Sequence, residues 1–159
     1  MARNKVIVRG GEGGKRNFIV GAQVYPGELV EIYNDSGTLK IKPHSGAEQP
    51  AVKAFVLEDR NEGRTVDDAI AVGELAEVYF ALPGDAIQAR ISNGQDVTIG
   101  NKVESAGDGR LQAFTADTWA SADTGTIYPQ VIVGQAEATV TMSGSSGEDP
   151  DGFCIITIW

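Results

Sequence analysis

One cysteine and one histidine are all that 159 residues offer of the side chains most used for metal binding and nucleophilic catalysis. A single cysteine excludes an intramolecular disulfide framework and any cysteine-rich zinc site. Cys154 lies inside the apolar stretch FCIITIW, the setting of a small buried hydrophobe rather than of a nucleophile. With one histidine, every His-based zinc site, triad or dyad has to be built around His44, which sits in a connector beside Pro43. No apolar run approaches the roughly 18 residues that span a bilayer. The start, MARNKVIVRGGEGG, lacks the apolar segment of a secretory signal. The expectation is a soluble product, made in a cytoplasm, with no membrane partner.

Basic residues are also scarce. Thirteen Lys and Arg face twenty-two Asp and Glu, for a formal charge of −9. This argues against a nucleic-acid partner, because phosphate neutralisation needs a basic surface. The balance is uneven, however. Residues 1–16 hold Arg3, Lys5, Arg9, Lys15 and Arg16 against Glu12 alone, leaving +4 there and −13 over the rest. A basic arm on an acidic body suits docking to an acidic partner; chance asymmetry at a terminus is the competing reading.

What the chain does have is glycine, twenty in all, set between short alternating apolar runs. That pattern predicts many strands joined by many turns. At 42% apolar and 22% charged the composition is that of a globular domain rather than a disordered chain. KVIV reads as a first strand, and GGEGGKR after it as a flexible arm, since each glycine loses much backbone entropy on ordering. FIVGAQVYPGELVEIYNDSGTLKIKP reads as two small hairpins, with turns at Pro26-Gly27 and Asp35-Ser36-Gly37. VKAFVLED, AEVYFAL, AIQARIS, VIVGQAEATVTM and FCIITIW read as further strands, with a short helical turn over Val66 to Gly73. In GQDVTIGNKVESAGDGRLQAF, Val97, Ile99, Val103 and Leu111 are expected to face inward, with Asp108-Gly109 as a two-residue hairpin turn. The expected fold is mainly β, a compact sandwich or distorted barrel with at most one short helix. Residues 1–17 form the flexible basic arm and 18–159 one β-rich domain, comprising a hairpin subregion (18–47) and a main body (48–159). Removing residues 1–16 is expected to leave that body folded.

Chemical motifs fail on inspection. GGEGGK resembles a phosphate loop, but Arg9 stands where its first glycine belongs and Arg16 where the magnesium-binding hydroxyl belongs. Asp67-Asp68 suits a helix start, and Glu148, Asp149 and Asp151 lack the spacing of an EF-hand loop. Glycine-spaced hairpins also carry biotin or lipoyl groups on a lysine at the turn; here the turn contains none, and Lys102 reads as a strand-edge residue. No catalytic residue, metal ligand or cofactor is assigned, and the chain is read as non-enzymatic.

The stretches VYPGELVEIYNDSGTLKIKP, AVKAFVLED through GRLQAF, and VIVGQAEATV followed by FCIITIW resemble the small head decoration, or cement, proteins of tailed bacteriophages. The marks are the P-G-x-L-V turn, L-E-D after a strand, P-G-D before an alternating strand, the G-Q-D-V-x-x-G unit and the terminal apolar strand. The resemblance implies a β-tulip-like virion protein on the outer capsid surface, bound to the major capsid protein. It implies homotrimers at local three-fold positions that stabilise the shell by bridging neighbouring coat subunits. Arg3, Lys5, Arg9, Lys15 and Arg16 lie where such proteins carry a capsid-binding arm, although no family motif fixes them individually. The alternative is another β-type binding module of a phage particle, tail-associated or carbohydrate-binding. Exposed aromatics would mark that alternative, and Trp119 in DTWASADTG is the candidate; a core or interface tryptophan is the other reading of it.

Overall fold

The computed structural model describes residues 5–58, 63–115, 131–142 and 152–159. Their strands are β1 (Ile7–Arg9), β2 (Gly14–Val20), β3 (Val30–Asp35), β4 (Thr38–Pro43), β5 (Ala54–Val56), β6 (Leu75–Phe80), β7 (Ala86–Arg90), β8 (Asp96–Val97), β9 (Lys102–Ser105), β10 (Leu111–Ala113), β11 (Gly134–Ala136), β12 (Val140–Thr141) and β13 (Phe153–Ile158). They form a six-stranded sheet, β1-β7-β13-β11-β9-β10, a five-stranded sheet, β3-β4-β2-β6-β5, and a β12-β8 ribbon. The pairing is antiparallel except between β2 and β4. The mainly β expectation is met, as open sheets rather than a closed barrel. The segment after Thr65 is a turn, in which the Thr65 N–H and hydroxyl both donate to Asp68 Oδ2 (2.7 and 2.9 Å).

Each sheet has its own core. Ile87, Ala89, Cys154, Ile156, Ile158, Val103 and Leu111 build the first on the six-stranded sheet. Phe18, Val20, Ile41, Ala76 and Val78 build the second on the five-stranded sheet, closed over by Val24 and Ile70, which bridge one another. The two cores meet through the period-2 alternation of β5 and β6. Ala54 and Val56 face the second core while Phe55 faces the first, and Tyr79 turns the same way between Val78 and Phe80. Phe55 and Tyr79 are fully buried, and side chains of this size contribute roughly 1.5–3 kcal/mol each by burial. Arg90, buried at the end of β7, adds a polar joint. Its guanidinium lies 4.9 Å from the Tyr25 ring centroid and 4.6 Å from that of Phe153. Its Nε donates to Pro26 O and its Nη2 to Val66 O (3.0 and 2.6 Å), which ties both covering loops of the second core to the six-stranded sheet.

The N-terminal residues depart from expectation. Residues 7–9 pair with β7, and β2 runs from Gly14 through the middle of the five-stranded sheet, in register with β6 from Gly14↔Phe80 to Ile19↔Leu75. The glycines between β1 and β2 serve close approach: a Cβ on Gly13 would lie 2.1 Å from Phe80 O, and one on Gly10 would lie 1.9 Å from Asp85 Oδ1. The Tyr79 hydroxyl accepts from Gly13 N–H (3.0 Å) and donates to buried Asp85, whose Oδ2 also accepts from Leu82 N–H (2.8 Å). Burial and the neighbouring Asp85 push the Tyr79 phenol above its ordinary pKa. The entropy lost by ordering these glycines is offset by pairing and packing that other residues would obstruct. Residues 5–17 are therefore structural members rather than a free arm, and removing residues 1–16 would strip β1 and part of β2 from the sheets.

The expected pair of hairpins in residues 18–47 reduces to one. β3 and β4 form a two-residue hairpin across Ser36-Gly37 (φ 53° and 90°). The Pro26-Gly27 turn instead sends the chain across to β5, where Gly27 N–H donates to Val56 O and Leu29 bridges Phe55. The five-stranded sheet thus draws strands from both sides of residue 47.

The β9–β10 connection also differs. Ala106 N–H donates to Arg110 O (2.9 Å), which leaves a three-residue tip of Gly107, Asp108 and Gly109 with both glycines at positive φ. That tip is docked: Gly109 N–H donates to His44 O, Leu29 N–H donates to Gly109 O, and His44 Nδ1 lies 2.8 Å from Ser105 Oγ in a buried contact. Val97, Val103 and Leu111 are buried as expected, whereas Ile99, in the turn before β9, is 63% exposed.

Candidate interaction surfaces

The basic residues expected to form a docking arm are distributed over the body. Lys5 is exposed just before β1. Arg9, on β1, donates through Nη2 to Glu137 Oε1 (2.7 Å) and Thr157 Oγ1 (3.3 Å). Glu137, held by the Thr157 hydroxyl and then by Arg9, has its pKa lowered despite partial burial. Lys15 and Arg16 lie on opposite faces of β2. Lys15 Nζ is 3.8 Å from Glu77, and the Arg16 guanidinium stands 5.0 Å from the Phe18 ring centroid. The structure places Lys5 ahead of β1, Arg9 on the six-stranded sheet, and Lys15 and Arg16 on opposite faces of the five-stranded one, and does not gather them into one patch. Arg3 and Trp119 lie outside the described residues.

Two surfaces escaped the sequence reading. The first is the face of the five-stranded sheet turned away from the second core. Register places Leu75, Ile19, Lys40 and Tyr33 in one row across β6, β2, β4 and β3. Ion pairs flank it: Lys15 with Glu77, Lys40 with Asp35 (2.6 Å) and Lys42 with Glu31 (2.9 Å). Partial burial opposes ionisation of Glu31, but hydrogen bonds from Lys42 and Ser45 outweigh it and lower its pKa. On a chain of net charge −9, this face is charge-balanced. The alternation in TLKIKP was its visible signal; the neighbouring row is set by long-range pairing. The second surface is at the end of β13. Trp159 is exposed, with Lys102 Nζ 5.3 Å from its ring centroid and Lys53 donating to its carbonyl. Ala81 N–H donates to Lys53 O just past the end of the β5–β6 pairing, and Val52 and Leu82, next to these two residues in the chain, are exposed. Nothing local in FCIITIW distinguished its last residue from the buried ones before it.

The loop entering β6 is fixed by ionic contacts. Arg64 donates to both oxygens of Glu74 (2.7 and 2.8 Å) and Ala71 N–H donates to Oε2. Together they bring the Glu74 carboxyl down to about 2. Asp68, expected at a helix start, is lowered by its hydrogen bonds from Thr65 and serves that turn. His44, the only imidazole, is occupied at the docked hairpin tip. Among the described residues, no group of three or more His, Cys, Asp or Glu could hold a metal ion.

The architecture is that of a many-stranded β protein with two fused cores. No protein-family profile matches the chain, and no curated protein does. Among solved structures, its fold is similar to the crystal structure of the head fiber gp8.5 N base in bacteriophage phi29. The similarity has a TM-score of 0.56 at 12% sequence identity and covers 92% of this chain and 93% of that one.

Proposed function

We propose that this protein is a non-enzymatic structural component of a tailed-phage particle, seated on the outer surface of the expanded head. There it binds the major capsid protein and stabilises the shell by bridging neighbouring subunits, as a homotrimer at local three-fold positions. The observation that carries this reading is the fold similarity over nearly the whole of both chains to a protein described as a phage head fiber base. The turn and strand motifs that resemble head decoration proteins point the same way. Multivalent attachment suits such a role, because one docked subunit raises the effective concentration of the others at the lattice. An acidic chain also favours dispersal of the particle.

The test is to mix purified protein with expanded heads that lack it and to follow co-sedimentation and image reconstruction. Saturable binding at lattice stoichiometry, with three-fold density on the outer surface, is expected. Absence of saturable binding overturns the capsid role, and a strictly monomeric footprint overturns the trimer.

A further inference from the structure

We propose that the free edge of β3 is a docking strand that accepts, in antiparallel register, an extended segment of another protein chain, apolar in its middle and basic at both ends. The proposal rests on the capsid reading only for which protein supplies that segment.

The two main sheets have four edges; two are covered and a third is short and irregular. On β5, Leu29 bridges Phe55, Gly27 N–H donates to Val56 O, and Val56 N–H donates to Glu28 O. On β10, Ile91 bridges Leu111 and Ser92 N–H donates to Leu111 O. β1 is three residues long with a break in its register against β7, and the Val6 N–H beside it is taken by Glu58. Short length, irregular register and covering loops are the usual protections of sheet edges. β3 has none of them. Its six residues pair with β4 without a break, from Val30↔Pro43 to Asp35↔Thr38, and among the described residues no strand lies beyond it.

Hydrogen-bond direction identifies which groups are free. Gly21 N–H donates to Ile41 O, so the peptide groups of Ile41 face β2. Lys40 and Lys42, on either side, face β3 and pair with Tyr33 and Glu31. The alternate residues Ile32 and Asn34 present their backbone N–H and C=O outward. Ile32 and its neighbour Leu39 on the same face are 36% and 45% exposed, an apolar margin running past the second core. The other face of the edge carries Glu31, Tyr33 and Asp35. An added strand would set an apolar residue opposite Ile32, a β-branched one opposite Tyr33, and basic residues opposite Glu31 and Asp35, whose carboxylates hold Lys42 and Lys40 on the β4 side and would share their charge with a second cation on the open side. Backbone pairing would supply affinity and these side chains specificity.

The probe is acetyl-Lys-Thr-Val-Ile-Lys-amide, with a version carrying Glu at both ends as control, added to the full chain while amide hydrogen exchange is followed by NMR. Exchange at Ile32 and Asn34 is expected to slow about tenfold, with Tyr33 and Glu31, already bonded to β4, unchanged and the Glu-ended peptide inactive. Ile32→Pro removes one outward N–H without touching the β4 ladder and is expected to abolish the effect. Ile32→Lys, which keeps the backbone donor but places a cation on the apolar margin, is expected to weaken it and serves if the proline variant does not fold. No slowing at millimolar peptide overturns the proposal. So does head binding in which Ile32 and Asn34 exchange as in the free protein and both variants bind like wild type. Protection by peptide together with no binding to any head supports the edge and overturns only the capsid reading.

Discussion

The chain contains two hairpins whose turns look alike in sequence, Asp35-Ser36-Gly37 and Gly107-Asp108-Gly109, and the molecule treats them in opposite ways. Both need left-handed backbone at glycine: φ is 90° at Gly37, 86° at Gly107 and 79° at Gly109. A Cβ built on Gly37 meets nothing within 4 Å, whereas one on Gly107 would lie 2.8 Å from Ala47 N and one on Gly109 2.9 Å from Pro43 Cβ. The first hairpin projects its turn into solvent. The second inserts its tip against the residues that flank the first, exchanging hydrogen bonds with Leu29 and His44. Turn chemistry is local and can be read from residue types. Whether a turn is a free end or a wedge depends on residues dozens of positions away.

The contrast can be tested by substitution, and the largest effect is expected at the wedge. Gly109→Ala combines left-handed strain of about 1–2 kcal/mol with overpacking of about 1–3 kcal/mol. A loss of about 2–5 kcal/mol in urea unfolding is expected. Gly37→Ala carries the strain alone, and a loss of about 1–2 kcal/mol is expected. Equal losses in the two variants would show that the β9–β10 tip is not wedged in solution. Ser105→Ala is next in size. It leaves buried His44 Nδ1 and Gly107 N–H without the hydroxyl they share, and about 1–3 kcal/mol is expected from an unsatisfied buried group. The same protein should lose exchange protection at Gly109 before it loses any in β3.

The smallest effect belongs to the exposed hairpin. The Lys40 hydrogen bond and charge hold the Asp35 carboxyl below its ordinary pKa of 3.8. A depressed carboxylate contributes stability above that ordinary value and loses it as pH falls through the lower folded value. The gap in unfolding midpoint between wild type and Lys40→Gln should therefore be small at neutral pH, begin to shrink as pH falls towards 3.8, and vanish only below the lowered folded value. It should also shrink with added salt, because the pair is exposed. A gap that grew on acidification would reverse the assignment.

Legibility follows the same division between local and distant causes. TLKIKP announced a strand because apolar and polar residues alternate at the strand period, AEVYFAL because Tyr79 and Phe80 are good strand residues and Pro83-Gly84 stops it, and FCIITIW as a short apolar run; Ile41, Val78 and Ile156 are buried accordingly. GGEGGKR misled because glycine content was read as flexibility. The reason for those glycines is the approach of Tyr79, Phe80 and Asp85, which only the folded sheet brings near. Ile99 misled because it continues the alternation of Val97 yet falls in the turn before β9. The arm residues were grouped by sequence proximity, and successive strand residues such as Lys15 and Arg16 face opposite ways. The open edge of β3 carried no composition signal at all, since an edge is defined by what does not pair with it.

The weaving of residues 7–20 into both sheets has a consequence for how the chain is made. β1 waits for β7, 80 residues further along (Ile7↔Ile87), and the start of β2 waits for β6, 66 residues further along (Gly14↔Phe80). At the usual pace of synthesis that is several seconds during which the first strands have no partner. β1 and the start of β2 thus find their place only after β6 and β7 have been made. Contacts of such sequence separation slow folding, so the rate of completing the body, rather than the rate of making it, should set how soon a newly synthesised copy is fully folded.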